Sequence, residues 1–180
     1  HSDVVAGTLT TAVEDEFWQR LALGRIQGGA VLGPVEAWLL RRGMQTLFVR
    51  VPAQARSAQR IAEHFAGHSA IKAVLYPGLP DHPDHAVAAR QMHGGFGGML
   101  SLRVKGGRDG AAGMIRGVQL WTRATSLGGV ESLIEHRAAV EPPGGGTPDD
   151  LLRLAVGLED SDDLSADMEQ ETDGRRARPA

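Results

Sequence analysis

Apolar and polar positions alternate most cleanly from Met99 to Val104, where Leu100, Leu102 and Val104 fall on one side. A two-residue period of that kind predicts a strand. Ile71 to Tyr76 reads as another strand, closed by the turn residues Pro77-Gly78. Val118 to Thr122 and Leu151 to Val156 read as two more. Val4 to Thr10 is short and β-branched, and it predicts a strand near the start of the chain.

Helical spacing appears between these runs. Glu14 to Arg25 predicts a helix with Phe17, Trp18, Leu21 and Leu23 as its apolar stripe, ended by Gly28-Gly29. Gly33-Pro34 opens a second, since Pro is tolerated in a first turn, with Val35, Trp38 and Leu39 facing inward. A third runs from Ala53 to Ala66 with Ala58, Ile61, Ala62 and Phe65 on one face, started by Pro52 and stopped by Gly67. Shorter helices are expected at Asp84 to His93 and Arg108 to Arg116. A last one spans Asp162 to Gln170, where an acidic start suits the helix dipole.

Strands and helices alternate after residue 67, which predicts an α/β sandwich. A domain boundary is expected near Arg50 to Pro52. Residues 171–180 have almost no apolar content and are expected to be disordered.

Composition narrows the chemistry. Cysteine is absent, which excludes disulfides, thiol nucleophiles and thiolate metal sites. Lys72 and Lys105 are the only lysines, against 17 arginines. Any Schiff-base role inside the chain must fall on one of those two. The net charge of −3 is spread without a basic block, which argues against nucleic acid as a partner. No apolar run is long enough to span a bilayer. A cytoplasmic protein is the expectation.

Several constellations could carry chemistry. Arg153 lies in Leu151-Leu152-Arg153-Leu154-Ala155-Val156. A guanidinium among apolar strand residues is costly without an anion, and its planar fork fits a carboxylate through two parallel hydrogen bonds. The alternative is an arginine on the solvent face of the strand. Ser126 begins Ser-Leu-Gly-Gly, either a ligand-approaching loop or a plain turn.

Gly94-Gly95-Phe96-Gly97-Gly98 lacks the Lys-Ser/Thr of a P-loop and reads as a loop needing unusual backbone angles. His64 with His68, and His82 with His85, lack a convincing third ligand, so no metal is expected. Ser126 or Ser132 with His136 lacks a nucleophile elbow, and no triad is expected. Glu159 to Asp163 reads as a solvated helix start rather than a calcium loop.

An ordered series of motifs carries a resemblance. It runs through His1-Ser2-Asp3, Gly33-Pro34 with Trp38 and Leu39, and Arg42-Gly43-Met44-Gln45-Thr46-Leu47. Tyr76-Pro77-Gly78-Leu79 and Gly97-Gly98-Met99-Leu100-Ser101 follow. Then come Ser126-Leu127-Gly128-Gly129-Val130-Glu131-Ser132-Leu133-Ile134-Glu135-His136, and Arg153 with Val156-Gly157-Leu158-Glu159-Asp160. From His1 to about Gln170 the chain resembles the pyridoxal-phosphate (PLP) enzymes of cysteine and methionine metabolism. That family includes the cystathionine γ-synthases and the cystathionine and methionine lyases.

The resemblance implies the C-terminal part of a PLP-dependent fold type I subunit. Residues 1–51 would be the tail of the large PLP-binding domain and residues 52–170 the small α/β domain. It implies PLP as cofactor, held by a Schiff-base lysine upstream of residue 1, and no catalytic residue in this chain. Residues holding the cofactor are not assigned. Arg153 would bind the substrate α-carboxylate, with Ser126 and Leu127 in the loop over the cofactor. Thr125 falls where relatives commonly carry Glu, near the distal end of the substrate. Arg137-Ala138-Ala139-Val140-Glu141-Pro142 departs from the family's Pro-Ala-x-Met-Thr-His.

The expected parent is a transsulfuration enzyme, eliminating or replacing a group at the β or γ carbon of cystathionine or an activated homoserine. Its partners would be small sulfur amino acids and further copies of itself in a homotetramer. The chain begins at His1 rather than Met, which reads as a fragment, an excised domain or a processed chain. The alternative is a catalytically inactive fragment or split-gene product serving as an interaction domain.

Overall fold

The computed structural model describes residues 2–142 and 144–170. The chain divides into two compact units, residues 1–47 and 48–180.

The first unit holds helices α1 (Glu16–Gln27) and α2 (Pro34–Met44). Asp15 caps α1 by accepting from the Trp18 amide at 2.9 Å. Pro34 occupies the first turn of α2. Neither helix has a buried residue; Phe17 is 63% exposed and Trp38 61%. Residues 4–10, predicted as a strand, carry no regular structure. A short β-branched run cannot satisfy its backbone groups without a neighbouring strand. Every strand among the described residues falls between Ile71 and Ala155.

The second unit is a five-stranded sheet backed by helices. α3 (Leu47–Phe65) leads into β1 (Ile71–Leu75), α4 (His85–Gln91) and β2 (Met99–Val104). Then come α5 (Gly107–Gly117), β3 (Thr122–Arg123), β4 (Leu133–His136), α6 (Arg137–Val140), β5 (Leu151–Ala155) and α7 (Ser161–Glu169). The strand order is β1-β2-β5-β4-β3, antiparallel throughout except for β3 beside β4.

Alternation divides the sheet into two faces. Leu100, Leu102 and Val104 of β2, Ile134 of β4, and Leu152 and Leu154 of β5 are buried in one core. Ala58, Ile61, Ala62 and Phe65 of α3 pack into it, with Met114 of α5 and Leu164 and Met168 of α7. The intervening residues Ser101, Glu135 and Arg153 lie on the opposite face, because successive strand side chains point to opposite sides. The α/β sandwich expected from the pattern is the architecture observed.

Two boundaries and one stretch differ from expectation. α3 begins at Leu47, so Pro52 lies inside the helix rather than starting it. That removes one intrahelical amide donor, yet the amphipathic face of a 19-residue helix outweighs the loss. The strand predicted at Val118 to Thr122 begins only at Thr122. The amides of Gln119 and Leu120 donate instead to the buried carboxylate of Asp167 on α7, at 2.9 and 2.8 Å. Finally, β4 and α6 lie in a stretch read only as a motif. The disorder expected of residues 171–180 falls outside the described residues.

The glycine stretch 94–98 needs the unusual angles expected of it. Gly94, Gly95 and Gly97 all have positive φ. A Cβ on Gly95 would stand 2.7 Å from that of Ala55, so the loop packs tightly against α3.

Candidate functional site

Of the residues predicted to matter, Arg153, Ser126 and Thr125 meet at the β4–β5 seam, on the sheet face opposite the core. Register sets Glu135 directly opposite Arg153, and Ser101 opposite Arg153 on the other side. Such same-face neighbours interact across a sheet. Thr125 and Ser126 reach the seam from the loop that follows β3.

Arg153 is partly buried, its side chain 21% exposed. Nη1 donates to the Ser126 carbonyl at 3.0 Å and lies 3.9 Å from Glu135 Oε2. Ser126 thus meets Arg153 through its main chain. Glu135 is buried at 5% exposure, and its Oε1 accepts from the Thr125 hydroxyl. Arg137 Nη1 donates to Glu135 Oε2 at 3.1 Å, and its Nε to Glu141 Oε1 at 2.7 Å. Glu141 also accepts from the Thr147 hydroxyl.

Two of these groups are shifted toward their charged forms. Hydrogen bonds from Thr147 and then Arg137 hold the Glu141 carboxyl below its ordinary pKa. Bonds to Glu141 and then Glu135 raise that of Arg137. Arg137, Arg153, Glu135 and Glu141 meet in one cluster. Leu127, the remaining site residue predicted, is 59% exposed.

The loop over this cluster is held in place along its length. Gln54, buried on α3, donates to the Gly129 carbonyl at 2.6 Å. The Val130 carbonyl accepts from the Leu158 amide at 2.8 Å. Fully buried Ser132 donates its hydroxyl to Glu159 at 2.7 Å and accepts from the Gly157 amide at 2.8 Å. A Cβ on Gly157 would come within 2.2 Å of the Val130 carbonyl oxygen. Only glycine allows that approach.

The contacts of the other candidates are specific. Ser132 is committed to Glu159, while His136 Nε2 meets the Asp149 carbonyl at 2.6 Å. His64 and His68 turn to Glu169, at 2.7 and 3.7 Å. His85 meets the Pro77 carbonyl at 2.7 Å. Asp160 caps α7, as a helix start should, but its neighbour Glu159 is drawn into the Ser132 contact. Among the described residues no group of three or more potential ligands could hold a metal ion. No helix among them is long and apolar enough to cross a membrane.

Neither lysine is placed to anchor a cofactor at this seam. Lys72 on β1 pairs with Asp150 at 3.7 Å, beside Arg103. Lys105 lies in the turn after β2 and donates its amide to the Ala70 carbonyl. At the seam Arg153 presents a guanidinium, a group whose planar fork is able to pair with a carboxylate.

Glu135, Arg137, Glu159 and Gln54 carry no site role in the sequence reading, although the first three fall in stretches it singles out. Glu135 and Arg137 had one legible signal, a charged pair flanking His136 right after an apolar dipeptide. Glu159 stands in the motif Val156 to Asp160 but reads as a solvated helix start, and Gln54 had no signal, its partner lying 75 residues away.

Known proteins place this geometry. The model of the family "Cys/Met metabolism PLP-dependent enzyme" matches residues 1–172. A cystathionine gamma-synthase of Mycobacterium tuberculosis is 46% identical over 175 residues, covering 94% of this chain and 45% of that protein. A cystathionine gamma-lyase of Saccharomyces cerevisiae is 42% identical, with 94% and 45% covered. The crystal structure of metB from Corynebacterium glutamicum superposes with a TM-score of 0.83 at 39% identity, covering 89% of this chain and 43% of that one. The chain thus spans less than half the length of these relatives. Matched by that model over nearly its whole length, the chain belongs to the Cys/Met metabolism PLP-dependent enzymes.

Proposed function

We propose that this chain is the C-terminal, substrate-carboxylate-holding portion of a transsulfuration enzyme. The parent would be a cystathionine γ-synthase or cystathionine lyase, working as a cytosolic homotetramer on cystathionine or an activated homoserine. The observation that carries the reading is Arg153: a partly buried guanidinium on the seam face, oriented by the Ser126 carbonyl. Bound PLP would supply the electron sink for bond breaking at the substrate. This chain's part is to fix the substrate's orientation, so that the bond to be broken is aligned before reaction. Thr125 and Leu127 border the same loop and would shape the rest of the pocket.

The test is Arg153→Ala in the full-length enzyme. Loss of a charged, hydrogen-bonded contact costs about 2–5 kcal/mol. Catalytic efficiency should therefore fall at least roughly tenfold, at about 1.4 kcal/mol per decade, with PLP still bound. Unchanged efficiency would leave Arg153 as a strand arginine with no substrate role.

A further inference from the structure

Glu135 poses a problem for the reading of Arg153 just given. A buried carboxylate sits opposite the one guanidinium that must receive a carboxylate from the substrate. Left alone with Arg153, Glu135 would be an internal competitor for it, since a buried acid seeks a cation. The structure shows what prevents that. Oε1 of Glu135 is taken by the Thr125 hydroxyl. Oε2 is 3.1 Å from Arg137 but 3.9 Å from Arg153, beyond hydrogen-bond reach of the latter. Arg137 is itself fixed from the other side by Glu141, which Thr147 holds in turn.

We propose that Arg137 is a positioning residue that draws Glu135 away from Arg153 and so keeps Arg153 available to the substrate carboxylate. The proposal rests on the reading of Arg153 as the carboxylate-binding residue. Arg137 is well placed for this role because it opens α6 at the end of β4, two residues past Glu135. The planar fork lets it bridge two acids at once, which a lysine's single ammonium does less well. Without Arg137, Glu135 keeps its burial and its place opposite Arg153, which is then its nearest cation. The shortest available answer is then to close the gap to Arg153.

The experiment uses the full-length holoenzyme and two ligands. L-Norleucine carries the carboxylate but no leaving group. Pentylamine is the same molecule without the carboxylate. Dissociation constants are measured from the cofactor's absorbance for wild type, Arg153→Ala, Arg137→Ala, Glu135→Gln and the double variant Arg137→Ala/Glu135→Gln. Arg137→Ala should weaken norleucine about tenfold and leave pentylamine within about twofold. Adding Glu135→Gln should restore norleucine to within about threefold of wild type, because the neutral amide no longer competes. A simple packing defect would weaken both ligands and would not be rescued. Arg137→Gln replaces Arg137→Ala if the latter does not fold.

Arg153→Ala separates the two levels of the argument. If it leaves norleucine binding unchanged, the carboxylate reading of Arg153 fails and the proposal with it. If it weakens norleucine but Arg137→Ala does not, the carboxylate reading stands and the role given to Arg137 is overturned. Failure of Glu135→Gln to rescue also overturns it.

Discussion

Glu135 faces Arg153 across the β4–β5 ladder, yet its closer cation is Arg137, at 3.1 Å against 3.9 Å. The residue that completes this arrangement is Thr125, whose hydroxyl occupies the other oxygen of Glu135. Position 125 therefore borders both the proposed substrate pocket and a buried acid.

Thr125→Glu should change specificity in the full-length enzyme. The new carboxylate would stand beside Glu135, and like charges drive the added one outward. There it could pair with a distal ammonium such as that of cystathionine. The ratio of catalytic efficiencies for cystathionine over an uncharged thioether amino acid should rise roughly tenfold, about 1.4 kcal/mol. A flat or reversed ratio would remove Thr125 from the specificity question.

Asp167→Ala should destabilise the second unit. Its carboxylate, 2% exposed, accepts from the amides of Gln119, Leu120 and Trp121. Removing it takes the acceptor from all three, the amide of buried Trp121 among them, at a cost of about 1–3 kcal/mol. Asp167→Asn keeps one acceptor and should cost less. Urea denaturation of the two variants beside wild type provides the ordering.

Tyr76→Phe tests a buried phenol. Its hydroxyl donates to the Gly97 carbonyl at 2.9 Å, tying β1's end to the glycine loop. The loss should be about 1 kcal/mol. Burial, and then the charge of Glu63, push the Tyr76 pKa from 10.0 up to about 12. The folded state thus holds a proton that the unfolded chain releases near pH 10. This contribution is intact below pH 10 and is lost as pH rises toward 12. The variant should show a shallower alkaline decline, read from melting temperature against pH.

Cofactor mapping should spare both lysines. Borohydride reduction of the PLP-loaded full-length enzyme, followed by peptide mapping, should place no stoichiometric label on Lys72 or Lys105. Lys72 is committed to Asp150, whose carboxyl Arg103 holds below its ordinary pKa. A full label on either lysine would overturn the alignment with the family.

Much of the second unit was legible because its periodicity is local. Leu100, Leu102 and Val104 announce their strand, and Ala58, Ile61, Ala62 and Phe65 their helix face. Arg153 was legible as an anomaly, a charge within an apolar strand. Its neighbours were not. Glu135 gains meaning only from register, and the late start of β3 depends on Asp167, some 46 to 48 residues away. The strand expected at Val4 to Thr10 failed for the converse reason: a local preference without a partner strand builds no ladder.

The ties from Gln54 to Gly129, Leu158 to Val130 and Ser132 to Glu159 and Gly157 have a consequence for motion. They anchor Gly129, Val130 and Ser132 to α3 and to the segment after β5, so this end of the loop is not a free flap. Its backbone entropy is lost when the domain folds, so an arriving ligand does not have to order it again. Any closing movement around substrate must then carry this loop and β5 together, as one rigid piece.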